Sequence, residues 1–168
     1  MKANRILLTG DHRLMEGLCY TAIKPGMLIK LNSSGQLIPH NSASGAAERA
    51  FALEDALQGN TVDTAYVVTS GTAGLADYVP ADMVQYALVA PGAEVNALLG
   101  GGYAYTVGEK LVSGGDGTLV PATTTNSATA PGEEHIIAIV LPLPGTASTG
   151  LDISDSSGDD QLHPVRIL

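Results

Sequence analysis

Glycine and proline interrupt this chain too often for long helices to form. Its 20 glycines and 9 prolines recur at intervals of about 8–15 residues, the spacing of many short strands joined by turns. That rhythm predicts a mainly β chain: a compact β-barrel or β-sandwich-like domain with long surface loops. The 168 residues suffice for one domain with a real core, and residues 1–168 are read as that one domain. Tryptophan is absent and phenylalanine occurs once, so Leu, Val, Ile, Ala and Tyr must fill the interior.

The strands can be placed by their turn residues. Met27 to Leu31 follows the pair Pro25-Gly26, and Gln36 to Pro39 resumes after Ser33-Ser34-Gly35. Arg49 to Leu53 and Ala65 to Thr69 are further short apolar runs. Met83 to Val89 is the clearest central strand, and it stops at Pro91-Gly92, which suits a type II turn. Val95 to Leu99 could be a helical turn or two, but Gly100-Gly101-Gly102 cuts it short, so a strand is favoured. Lys110 to Ser113 and Thr118 to Pro121 flank an Asp-Gly turn and read as a hairpin. His135 to Leu141 is almost continuously apolar, which predicts a strand buried on both faces or at a subunit contact. Val165 to Leu168, entered by Pro164, reads as a last edge strand.

A weak internal repeat runs through this pattern. Gly26 to Pro39 and Gly108 to Pro121 share one template of Gly, an aliphatic residue, a turn Gly, two aliphatics and Pro. Both copies read as a strand, a tight turn and a returning strand. Asn41 to Ala47, Thr123 to Gly132 and Gly145 to Gln161 lack core-forming composition and are expected to be surface loops, the last two flexible.

Signs of catalysis are sparse. His12, His40, His135 and His163 are far apart and match no metal-ligand spacing; His40 is expected at the surface and His163 to cap or pair locally. Gly100-Gly101-Gly102 opens no helix that could cradle a phosphate. No nucleophile elbow is present. Asp152, Asp155, Asp159 and Asp160 could wrap a calcium ion, but they lack the spacing of a helical-hairpin loop, and a solvated loop is the simpler reading. Cys19 is alone, hence without an intrachain disulfide, and is expected to be buried. No enzyme, cofactor or metal is expected.

A net charge of −9, from 8 cations and 17 carboxylates, disfavours nucleic acid and anionic membranes as partners. No apolar run approaches the roughly 18 residues of a membrane span, so a soluble product made in the cytosol is expected.

Several segments together resemble the capsid decoration, or head cement, proteins of tailed bacteriophages. They are Glu48 to Asp55, Leu57 to Asp63, Val84-Gln85-Tyr86, Pro91 to Leu99, Val107 to Leu111 and Ser113 to Leu119. They span most of Gly26 to Pro121, and their order and spacing carry the match. The resemblance implies a mainly β virion protein bound to the outer head surface, contacting the major capsid protein and stabilising neighbouring capsomers. It also implies self-association, commonly as a homotrimer over local three-fold positions, and supplies no catalytic residues. Another phage structural role, such as a fibre base or head–tail accessory protein, and a β-rich surface binding module are the alternatives.

Two groups of residues follow as candidates for contact. Lys2, Arg5 and Arg13 concentrate cations in an N-terminal arm over residues 1–13, beside Ile6 and Leu7; this arm is expected to help attach the protein to the capsid. An ordinary first strand is the alternative, and a chain lacking Met1 to Thr9 is expected to fold. Ile137 and Ile139, in the continuous apolar run, are the candidates for a subunit interface.

Overall fold

The computed structural model describes residues 5–54, 67–68, 82–122, 135–142 and 160–168. Among them every extended element is a strand: β1 (Leu7–Thr9), β2 (His12–Leu18), β3 (Ile29–Leu31), β4 (Leu37–Pro39), β5 (Ala50–Ala52), β6 (Val67–Val68), β7 (Met83–Val89), β8 (Glu94–Leu99), β9 (Lys110–Ser113), β10 (Leu119–Pro121), β11 (Ala138–Val140) and β12 (Asp160–Ile167). The mainly β class expected from turn spacing is the class observed. No helix among the described residues is long and apolar enough to cross a membrane. The expected loop over Thr123 to Gly132 lies outside the described residues, as does most of the one expected over Gly145 to Gln161; its last two residues, Asp160 and Gln161, are not loop but the start of β12, paired with β6.

Five strands close on themselves. The order β8-β10-β9-β11-β12 returns to its start because β12 also pairs with β8. That last seam is the longest, running in antiparallel register from Gln161 opposite Leu99 to Arg166 opposite Glu94. An Arg166–Glu94 ion pair at 3.0 Å closes its outer end. Closure removes the free edges of these strands. It also corrects the reading of the C-terminus: β12 is longer than Val165 to Leu168 and is no edge strand, since β8 lies on one side and β11 and β6 on the other.

Pro164 made that strand look as though it began late, because a proline inside a paired strand lacks a ladder donor. His163 compensates. The register of β11 on β12 places Leu141 opposite position 164, and the Leu141 amide donates to Pro164 O at 3.1 Å. The return bond cannot form from proline. The His163 Nε2–H takes Leu141 O instead, at 2.8 Å. His163 is therefore buried and bonded 22 residues away, not paired locally.

The other edge of β8 is filled by three different segments in turn. Asn96 N–H donates to Ile6 O at 2.7 Å, Leu98 N–H to Gly26 O at 2.9 Å, and Gly100 N–H to Leu119 O at 3.0 Å. Gly26 can sit there only as glycine. Its φ is +85°, and a Cβ would lie 2.4 Å from Leu162 Cδ2 and 3.1 Å from Asn96 O.

The repeat seen in the sequence is present in space. β3 and β4 pair Ile29 with Pro39 and Leu31 with Leu37; β9 and β10 pair Leu111 with Pro121 and Ser113 with Leu119. The glycines match as well: Gly26 and Gly108 have φ of 85° and 86°, and Gly35 and Gly117 of 76° and 91°. The hairpins also touch, with Leu28 N–H on Gly117 O and Gly117 N–H on His40 O.

A three-stranded sheet, β2-β7-β5, completes the frame. Phe51 of β5 is fully buried and bridges to Leu28 beside the first hairpin. The apolar core is continuous, joining Val84 and Tyr86 of this sheet to Val95, Leu111 and Val165 of the barrel. The turn after β7 has the expected form, with Ala93 N–H on Ala90 O and Gly92 at φ +88°.

Candidate docking surface

The edge strand β2 of the three-stranded sheet leaves a run of large apolar side chains in water, although the residues beside them on the same face, Ala87 of β7 and Phe51 of β5, are fully buried. Strand side chains alternate between faces, so Leu14, Glu16 and Leu18 of β2 share one face and Met15 and Gly17 the other. The second set turns inward, where Gly17 lies against Leu37. The first set turns outward, and Leu14 is 63% exposed. Leu18 is exposed beside its cross-strand partner Met83, also exposed. Tyr20 and Leu8 extend the apolar surface at either end.

β1 runs along this face and leaves a groove of about 480 Å³. Leu14, Leu53 and Gln85 form part of its lining, and Arg5, Leu7 and His12 another part. Glu54, also on the groove, accepts the Ile6 amide at 3.0 Å and holds β1 down. The groove thus mixes leucine side chains with Arg5, His12, Glu54 and Gln85, on a chain whose net charge is −9.

The candidate contact residues separate here. Arg5 and Arg13 are exposed and Leu7 is half-buried. Lys2 lies outside the described residues. Ile6 is fully buried in the core and offers no surface for a capsid. Residues 5–9 are no free arm: β1 pairs with β8, and Asn96 donates its side-chain amide to Arg5 O at 2.6 Å as well as its backbone amide to Ile6 O. The ordinary first strand is the arrangement observed.

Ile137 and Ile139 also part company. Ile137 is 3% exposed and belongs to the core, so it cannot serve as an open interface residue in this fold. Ile139 is half-buried on β11, between Lys110 of β9 and Arg166 of β12. Both flanking side chains are exposed. The apolar run is continuous because Ile137, Ala138 and Val140 are all interior.

The groups with chemical potential are mostly occupied internally. His40, expected at the surface, is 2% exposed. Its Nε2–H donates to Ala46 O at 3.1 Å, and its Nδ1 accepts the Ser113 hydroxyl at 2.7 Å. Ser113 Oγ in turn accepts Gly115 N–H at 3.2 Å. This hydroxyl–imidazole pair is sealed, since Ser113 has no exposed surface; it fastens the loop after β4 to the second hairpin. Burial lowers the His40 pKa, with Lys30 adding to the effect and the Ala46 bond opposing it. Burial lowers that of His163 too, against its Leu141 bond.

Tyr105 is held between Gly100 O and Leu119 O at 2.6 and 3.2 Å, and burial drives its pKa up. Cys19 is buried as expected. His135 reaches Ser44 O at 2.8 Å. Among the described residues no group of three or more His, Cys, Asp or Glu could hold a metal ion. Of the acidic run, Asp152, Asp155 and Asp159 lie outside the described residues, and the Asp160 carboxylate accepts Gly101 N–H at 3.1 Å.

The sequence reading missed β2 as a strand. Its seven residues contain no β-branched side chain and bury neither face fully, so propensity and periodicity were both weak. The outward pairing of Leu14 with Leu18, two residues either side of Glu16, was the only available signal.

No protein-family model and no curated protein matches the chain. Among solved structures, the chain is similar to the head fibre gp8.5 N base of bacteriophage phi29, at 14% identity and a TM-score of 0.47, over 94% of this chain and 95% of that one. A similarity at that level establishes neither a shared fold nor a shared function.

Proposed function

We propose that this chain is a structural protein of a tailed-bacteriophage virion that binds the outer surface of the head and holds neighbouring capsomers of the major capsid protein together. The observation that carries the reading is the exposed apolar edge of β2, with Leu14 and Leu18 in water beside Met83 at the start of β7. Apolar side chains clustered in water on an acidic chain suit a contact surface for protein. The ordered motifs between Gly26 and Pro121, similar to decoration proteins, supply the class of partner. In this reading the protein performs no catalysis and carries no cofactor. A binder selective for the assembled lattice raises the free energy of separating its subunits, and joining copies in one oligomer multiplies weak individual contacts. The homotrimer over local three-fold positions is the part of the proposal that rests on the resemblance alone.

The test is sedimentation of purified protein with expanded, undecorated heads of the cognate phage. Saturable binding of many copies per head is expected. Replacing Leu14 and Leu18 together by Lys should abolish binding while leaving thermal unfolding unchanged, because both side chains are exposed. Absence of wild-type binding, or binding confined to fibre attachment points as for a fibre base, would contradict the proposal.

A further inference from the structure

β2 has a free backbone edge. Cys19 N–H donates to Asp82 O and Ala90 N–H to Asp11 O at opposite ends of the β2–β7 ladder, whose register runs from His12 opposite Val89 to Leu18 opposite Met83. Odd-numbered residues of β2 therefore direct their amides and carbonyls at β7, and His12, Leu14, Glu16 and Leu18 direct theirs away. Beyond Glu16 that side is taken by Leu37, which bridges to Cys19 and whose carbonyl accepts Tyr20 N–H at 2.9 Å; over His12 to Glu16 no strand among the described residues pairs with it. An open edge over His12 to Glu16, without proline, is a template for another strand.

We infer that the occupant is β2 of a second copy of this chain, paired antiparallel about a two-fold axis at Leu14. Hydrogen bonding between two such edges requires the outward-directed, even-numbered residues to face one another. With Leu14 opposite its own mate, His12 falls opposite Glu16 of the partner subunit, and Glu16 opposite His12 of the partner subunit. The most exposed large apolar side chain of the described structure then packs side by side with its mate at the centre of the shared face, with an imidazole–carboxylate pair on each side. Asp11 falls opposite Gly17 of the partner subunit, so no carboxylate of the strip meets another, although the chain carries a charge of −9. Sliding to the next hydrogen-bonded register would set Leu14 against Glu16 and His12 against Leu18, apolar against polar. The charge pattern thus selects one register, and an isologous contact of this kind is closed. It joins the two three-stranded sheets into one continuous sheet. On a head, the contact would link copies from neighbouring trimers and leave three-fold contacts free. The pairing does not depend on head binding and is read without heads.

Sedimentation equilibrium and native mass measurement of the full chain test it. Wild type is expected to form a concentration-dependent species of even copy number. His12→Glu places like charges at both flanking pairs, Glu16→Lys removes the carboxylate from both, and each should weaken association, the first about tenfold or more. An equimolar mixture of the two variants should recover it, because opposite charges then meet at one pair and the native groups at the other. Exchange of the Leu14 and Glu16 amides should slow as concentration rises. A wild-type chain that remains monomeric or of odd copy number would overturn the inference. So would failure of the mixture to recover association, or amide exchange independent of concentration.

Discussion

At the scale of single residues, burial decides what each candidate can do. Ile137 and Ile139 are two positions apart in one apolar run, yet only the first is core. Ile137→Asp should cost several kcal/mol by burying an unpaired charge. Ile139→Asp should cost about 1 kcal/mol or less, because the new carboxylate would lie between Lys110 and Arg166 near the surface. Urea unfolding of the two variants checks the difference, and equal losses would contradict the placement of Ile139. The histidines set a pH dependence. His40 and His163 have pKa values lowered in the folded chain, whereas in the unfolded chain they titrate near the ordinary value of about 6.5. Above that pH neither state is protonated and nothing is lost. Below it the unfolded state binds protons that the folded state refuses, so stability falls as pH drops through about 6.5 toward the folded pKa values. The unfolding midpoint should decline between about pH 7 and 5, and replacing both histidines by Gln should flatten that part of the decline. An unchanged slope in the double variant would assign the decline to carboxylates instead.

The strands show how far local pattern reaches. β7 was legible residue for residue, because a seven-residue apolar run ends at a turn that only glycine fits well. The two hairpins were legible for the same reason, and their equal registers show that the template of Gly, aliphatic pair and Pro encodes a geometry. What lay beyond the sequence was long-range. Whether β8 was strand or helix could not be read from alternation, because Val95 to Leu99 is buried on both faces. Barrel closure depends on β8 meeting β12 across the chain, and Pro164 concealed that strand until His163 was seen to satisfy Leu141 O. The docking face was half legible: the cations Arg5 and Arg13 marked the neighbourhood, but β2 between them had no strand signal. The first strand was misjudged because Ile6-Leu7-Leu8 beside cations looks the same whether docked or free. Removing Met1 to Thr9 deletes a fully buried isoleucine and the β1–β8 bonds. The truncated chain should lose about 3 kcal/mol or more, seen as a lower urea midpoint; a stability equal to that of the full chain would contradict the docked arrangement.

On the scale of the whole molecule, a closed barrel and a continuous core support one sheet whose edge strand β2 leaves leucines in water. The barrel strands satisfy one another, and the buried His40–Ser113 and His163–Leu141 bonds serve the frame. The proposed contact is the exposed β2 edge with Met83, and its proposed partner is the phage head. The most direct measurement is a reconstruction of expanded heads incubated with purified wild-type protein and, separately, with the Leu14→Lys, Leu18→Lys double variant. The account predicts added density at symmetry-related positions on the outer surface, bridging adjacent capsomers through the exposed leucines of β2, and bare heads with the variant. Bare heads with the wild type, or density attached through a different face and unaffected by the double substitution, would contradict it.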